Sequence, residues 1–181
     1  MNIHDQRQEN TRQKFIDIFC ELYSKKPIDK ITVIEMCKLA NCNRSTFYQY
    51  FFSINDLLEH VEKSLLDYIH QLGSNYSALE MVTPIERIVE LFSKKGKYIT
   101  ALMGDYGSIR FLRLLKKEFA IDESLSKSAN PLAPYIIEFR VSTILTLFHF
   151  WERRNRDIPL DSILELIANL YTNGVSKVID M

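Results

Sequence analysis

An all-α fold is predicted from three observations. Apolar residues recur at helical spacing in every strongly patterned segment; only five Gly and five Pro punctuate the chain; and no period-two alternation or hairpin turn is present. With 181 residues, 46% of them apolar and 25% charged, the composition is that of a globular protein able to bury one large core or two small ones. Lys and Arg number 23, as do Asp and Glu, so net charge gives no hint of a nucleic-acid partner.

About nine helices are expected. In the first, Phe15, Ile18, Phe19, Leu22 and Tyr23 form one apolar stripe, ended by Pro27 and Asp29. Thr32 is the N-cap of a short second helix whose Val33, Met36, Cys37 and Ala40 share a face. The connection Asn41-Cys42-Asn43 leads to a third short helix beginning near Arg44. Ser53 caps a fourth, with Asp56 at the capping-box position and Leu57, Leu58, Val61, Leu65 and Leu66 as its buried face. Gly73-Ser74-Asn75 is the first composition shift, which divides the chain into a domain over 1–73 and another over 74–181. Helices follow at about 84–95, 97–104 and 107–120, separated by Gly96 and by Gly104–Gly107, then a loop over Asp122–Pro131. Long helices at about 132–153 and 159–178 close the chain.

Two short helices joined by a tight turn and flanked by longer ones outline a helix-turn-helix over about 32–51. The third helix adjoins a run in which five of six positions, Phe47 to Phe52, are aromatic. At about 100° per residue, Phe47, Tyr50 and Phe51 cluster on one face and Phe52 falls in the next turn, shielding the helix junction. Arg44, Ser45, Tyr48 and Gln49 point outward, with Thr46 on the other flank. Arg can bond guanine bidentately, Gln suits adenine, and hydroxyls donate to phosphates. The helix N-terminus near Asn43 also favours a phosphate. A merely solvated helix face could carry the same residues.

The stretch Ile31–Leu58, ITVIEMCKLANCNRSTFYQYFFSINDLL, resembles the signature of the TetR family of transcriptional regulators. That signature has a capping Thr, an apolar-x-x-apolar-Ala helix, a turn, a recognition helix ending in Phe-Tyr-x-His/Tyr-Phe, and a capped fourth helix. The resemblance implies DNA binding, with Thr32 and Tyr48 on phosphates, Arg44, Ser45, Thr46 and Gln49 in the recognition helix, and Tyr50 near the backbone where His is commoner. Three positions depart from the pattern. Asn41 stands where Gly is usual, and Asn tolerates the left-handed conformation. Ile54 replaces a usual Lys, which removes one phosphate contact. Ile34 and Leu39 are apolar where polar residues are usual. Within 1–60, eight basic residues meet eight acidic ones, so steering charge is not abundant.

The penultimate helix is apolar nearly all round. Ile137, Val141, Ile144, Phe148 and Trp151 make one stripe, and the last helix repeats the feature with Ile163, Leu164, Ile167, Leu170, Tyr171, Val175 and Val178. Such helices must be covered on two sides, either by a second subunit or by a wholly monomeric core. TetR-like regulators dimerise through their last two long helices, which implies a homodimer reading a pseudo-palindromic operator in double-stranded DNA. The same resemblance implies a repressor released by an effector, small molecule or protein, bound in the C-terminal domain. Tyr98, Met103, Tyr106, Phe111 and His149 are the candidate pocket liners, although core packing also explains each of them. Lys97–Phe119 is similar to the C-terminal domain of some Gram-positive members, including activators of dihydroxyacetone kinase operons.

An enzyme is disfavoured: the chain has no phosphate loop, no H-E-x-x-H and no nucleophile elbow, and His4, His60, His70 and His149 are scattered. No cofactor is implied. Cys20, Cys37 and Cys42 suit buried thiols in a reducing compartment, and the Cys37–Cys42 spacing matches no common zinc pattern. The polar first ten residues lack a signal-peptide core, and the apolar run Ile144–Trp151 is far short of the roughly 20 residues that span a bilayer. A cytoplasmic protein is expected.

Overall fold

Eight α-helices and one 3-10 turn, with no strand, make up the described residues of the computed structural model, which are 3–73, 85–118 and 131–173. The helices are α1 (Ile3–Tyr23), α2 (Val33–Ala40), α3 (Arg44–Tyr48), α4 (Ile54–Gly73), α5 (Ile85–Met103), α6 (Ser108–Glu118), α7 (Ala133–Arg153) and α8 (Leu160–Asn173), with the 3-10 turn at Ile28–Lys30. The all-α expectation holds. Ser74 and Asn75 of the composition shift, the expected loop before Pro131, and Val175 and Val178 lie outside the described residues.

A single core cluster runs from Phe15 in α1 to Ile167 in α8. Its hub is α5, which packs on α1, α4, α6, α7 and α8. That arrangement corrects the stripe expected for α1. Ile16 and Cys20 are buried with Phe15, Phe19 and Tyr23, while Ile18 and Leu22 are only partly covered. The local pattern could not register this, because α1 is flanked by α2, α4 and the distant α5 together. In α4 the expected face is buried as read: Leu57, Leu58, Val61, Leu65 and Leu66.

The break expected at Gly96 falls one residue earlier, at Lys95, whose φ of −123° and ψ of 18° leave the helical region, so that α5 is two helical segments joined across a kink. The break expected at Gly104–Gly107 does occur, because the chain must turn closely there. The amide of Gly107 donates to the Gly104 carbonyl at 3.3 Å. A Cβ added to Gly107 would lie 2.6 Å from the Leu102 carbonyl oxygen and 2.8 Å from that of Ala101, whereas one added to Gly96 would meet nothing within 4 Å. Backbone cannot yield as a side-chain tip can. Gly107→Ala should therefore destabilise the chain by about 1–3 kcal/mol, and Gly96→Ala should not, as thermal denaturation of the two variants would show.

At the far end Phe92 of α5 meets Phe148 at 4.9 Å and Trp151 at 5.7 Å, and the Trp151 indole donates to the Ile158 carbonyl at 2.7 Å. Ile163, Leu164 and Ile167 of α8 are buried in the same cluster. None of the helices in the described residues is long and apolar enough to cross a membrane.

Candidate nucleic-acid interface and adjoining clefts

The α2–α3 turn is closed by backbone hydrogen bonds. Asn41, at φ 53° and ψ 48°, adopts the left-handed conformation. Its amide donates to the Lys38 carbonyl at 3.3 Å, and that of Cys42 donates to the Cys37 carbonyl at 3.0 Å. This pair of bonds is a Schellman closure with Asn where Gly is commoner. At the other end of α2, Thr32 Oγ1 accepts from the Glu35 amide at 3.2 Å, and the Glu35 carboxylate is held by Lys26 Nζ at 2.6 Å. Cys37 Sγ donates to the Asn43 carbonyl at 3.6 Å and Cys42 Sγ to that of Ala40 at 3.4 Å.

Phe47 and Phe51 are buried and fix α3. The Phe47 ring meets Phe15 edge-on at 5.3 Å, and Tyr50, half-buried, lies 6.4 Å from the same Phe15. With that face committed, Asn43, Arg44, Ser45, Tyr48 and Gln49 are exposed, Thr46 is half-buried, and Thr32 is exposed at the head of α2. The Arg44 guanidinium donates to the Tyr48 hydroxyl at 3.5 Å, one turn along. A row of guanidinium, hydroxyl and amide groups thus shares one accessible surface.

Apolar groups frame this surface. Ile34 and Leu39 of α2 are 64% and 54% exposed, and Phe52 is 89% exposed. Phe52 therefore does not shield the helix junction. Its own amide donates to Asp56 Oδ2 at 2.8 Å while the Asp56 amide donates to Ser53 Oγ at 3.1 Å. This reciprocal cap holds the backbone at Phe52 and leaves the ring outside. Ile54 is half-buried against the core.

Behind the interface, α4 is tied to the rest of the chain. Glu62 is 2% exposed, and its carboxylate accepts from Arg110 of α6 through Nε at 2.6 Å and Nη2 at 2.9 Å. Tyr23 of α1 donates to the Tyr106 carbonyl at 3.0 Å. Neither tie was read from the sequence. Glu62, set between Leu58 and Leu65/Leu66 on the apolar face of α4, carried the only signal. His60 of α4 lies 3.0 and 3.1 Å from Nη2 of Arg12 through its two ring nitrogens. An in-plane approach equidistant from both would collide with Cε1, so the guanidinium rests on the ring face. Burial, and after it the Arg12 charge, hold the His60 imidazole below its ordinary 6.5.

An open cleft of about 700 Å³ runs between α1 and α5, with Asp17, Ile18, Cys20, Phe92, Lys97 and Tyr98 among its walls. Lys97 Nζ bridges it to Asp17 at 2.7 Å. Burial pushes the Cys20 thiol up to about 12, with the Asp17 charge a lesser cause. Of the five expected pocket residues only Tyr98 reaches this cleft. Met103 and Phe111 are buried in the core, Tyr106 is 44% exposed, and His149 Nδ1 lies 2.6 Å from the Met103 carbonyl oxygen. A carbonyl only accepts, so Nδ1 carries the proton.

The residues expected at a dimer interface divide. Phe148, Trp151, Ile163 and Ile167 are buried within the chain itself, while Ile144 and Leu170 are half-buried. The side chains of Ile137, Val141 and Tyr171 lie outside the described residues. On the outer side of α7, Tyr135 is 75% exposed, Phe139 61% and Phe150 57%.

No family model matches the sequence, and no curated relative does. A solved structure shares the fold, that of a TetR-family transcriptional regulator from Streptomyces coelicolor. It is 18% identical, with a TM-score of 0.53 over 94% of this chain and 78% of that one. The further likeness of Lys97–Phe119 to activators of dihydroxyacetone kinase operons has no support in these comparisons.

Proposed function

We propose that the protein is a sequence-specific DNA-binding transcriptional regulator. The observation that carries this reading is α3, which spends Phe47 on the core and leaves Arg44, Ser45, Tyr48 and Gln49 on one exposed surface beside the Thr32-capped α2. The shared fold with a TetR-family regulator supports it. Thr32, Asn43, Tyr48 and Tyr50 serve the phosphate backbone, while Arg44, Ser45, Thr46 and Gln49 read or approach bases.

The working unit is a cytoplasmic homodimer on a pseudo-palindromic operator, with residues 1–73 as the DNA-binding head and 74–181 as the body. In one chain Phe148 and Trp151 are already covered. The second copy would therefore meet the outer face of α7, around Tyr135, Phe139 and Phe150, together with the end of α8. The regulator acts as a repressor, and an effector releases it by preferring one spacing of the two heads over the other. The α1–α5 cleft, with Tyr98 in its wall, is the place where a small effector would touch head and body at once.

Gel-shift titrations on promoter DNA selected with the purified protein test this. Tyr48→Phe should weaken cognate and scrambled duplexes alike, by about 1 kcal/mol. Gln49→Ala should cost about 1–3 kcal/mol on the cognate duplex only. Equal losses on both duplexes would remove Gln49 from the base-reading set. A second reading, a helical adaptor that has lost DNA binding, is favoured by Ile54 and by the exposed Ile34 and Leu39. It predicts no salt-sensitive shift with any duplex.

A further inference from the structure

A second cleft, of about 370 Å³, lies between α4 and α5, apart from the α1–α5 cleft and from the α3 surface. Lys63, Ser64, Tyr68, His60 and Lys95 are among its walls. Lys95 is the residue at which α5 departs from helical geometry. The residue is half-buried, and its ammonium donates to Ser64 Oγ at 3.1 Å and stands 4.5 Å from the centre of the Tyr98 ring and 5.7 Å from that of Tyr68. All of these partners are neutral. Among the described residues Lys95 makes no ion pair, nor does Lys63 of the same cleft. An ammonium whose partners among the described residues are a hydroxyl and two π faces can still accept an anion.

Among the residues that line the cleft, the two ammonium groups of Lys63 and Lys95 face one carboxylate, that of Asp67. Arg12 lies against His60 and pairs with Glu9 at 3.6 Å, and Lys63 adds a second ammonium to the cleft. On the acidic side stand Asp67, exposed at the rim, Glu90, whose carboxylate is occupied by the Tyr68 hydroxyl at 3.0 Å, and Asp56 and Glu9, whose charges reach His60. Two ammonium groups and the hydroxyl of Ser64 offer more donors than the two oxygens of one carboxylate can use, whereas a phosphate group presents three acceptor oxygens and up to two charges. The volume is in the range of small-molecule sites.

We propose that this α4–α5 cleft binds the phosphate group of a small phosphorylated molecule, with Lys95 and Lys63 supplying the charge and Ser64 a hydroxyl. The site is independent of the DNA-binding reading and is tested without DNA. Calorimetric titration of the full chain with inorganic pyrophosphate at fixed ionic strength should show saturable binding. Affinity should fall at least tenfold in Lys95→Met, which keeps the alkyl stem over the tyrosines. It should fall several-fold in Lys63→Gln, an exposed position whose change does not threaten the fold, and be unchanged in Lys30→Gln. Absence of saturable binding, or equal affinity in wild type and Lys95→Met, overturns the proposal. Malonate binding as tightly as pyrophosphate overturns the assignment to phosphate.

Discussion

Replacing Phe47 by alanine is expected to cost about 3–5 kcal/mol of stability, the range for emptying a fully buried aromatic site. Phe47 has no exposed surface, meets Phe15 edge-on at 5.3 Å and touches Phe51 at 5.8 Å. The cavity would open between α1 and α3, and α3 has little to close it with. It is only five residues long, far below the length at which a helix holds itself in water. Its order therefore comes from the rings that anchor it, and its exposed side chains inherit their positions from that anchor. Urea denaturation followed by circular dichroism should show a lower midpoint at unchanged slope. DNA affinity should fall on every sequence under conditions where the variant is still folded. A loss under 1 kcal/mol would mean that α3 is held by its flanking turns instead.

The same residues explain what could be read in advance. Around α3 the information is local: the capping Thr32, the left-handed Asn41, the Ser53–Asp56 cap and the one-sided placement of Phe47 and Phe51 all follow from spacing and side-chain chemistry within a turn or two. Phe52 was misplaced because a ring in a turn has no helical face to assign it to, and only the reciprocal bonds of the Asp56 cap decide where it points. Beyond α4 the deciding contacts are distant in sequence. Arg110 reaches Glu62, Tyr23 reaches Tyr106 and Lys97 reaches Asp17. No periodicity encodes such pairs. The apolar excess of α7 and α8 was legible, but not how it is shared between the chain's own core and its outer face. Phe148 and Trp151 turn inward because Phe92 of α5 meets them there. The two clefts were not legible at all, being gaps between helices and not features of any one of them.

Arg110→Ala is expected to be the most damaging change on the surface of the chain, at about 3 kcal/mol, the lower end of the range for breaking a buried ion pair. The asymmetry of the pair sets that figure. The Arg110 side chain is 49% exposed and returns to water at little cost, but the Glu62 side chain is 3% exposed and would be left charged with no donor. Removing both charges should be milder. If Glu62→Leu with Arg110→Leu recovers most of the loss, the penalty belongs to the stranded carboxylate and not to the attraction of the pair. If the double variant is as unstable as Arg110→Ala, the ion pair itself holds the chain together. The comparison also separates stability from position. Two parallel N–H···O bonds fix the angle of α4 on α6 in a way that leucine packing does not, and α4 carries the capped turn that follows α3. The double variant should therefore denature near the wild-type midpoint yet bind cognate DNA more weakly, whereas matched affinity would show that α5 alone sets the orientation of the head.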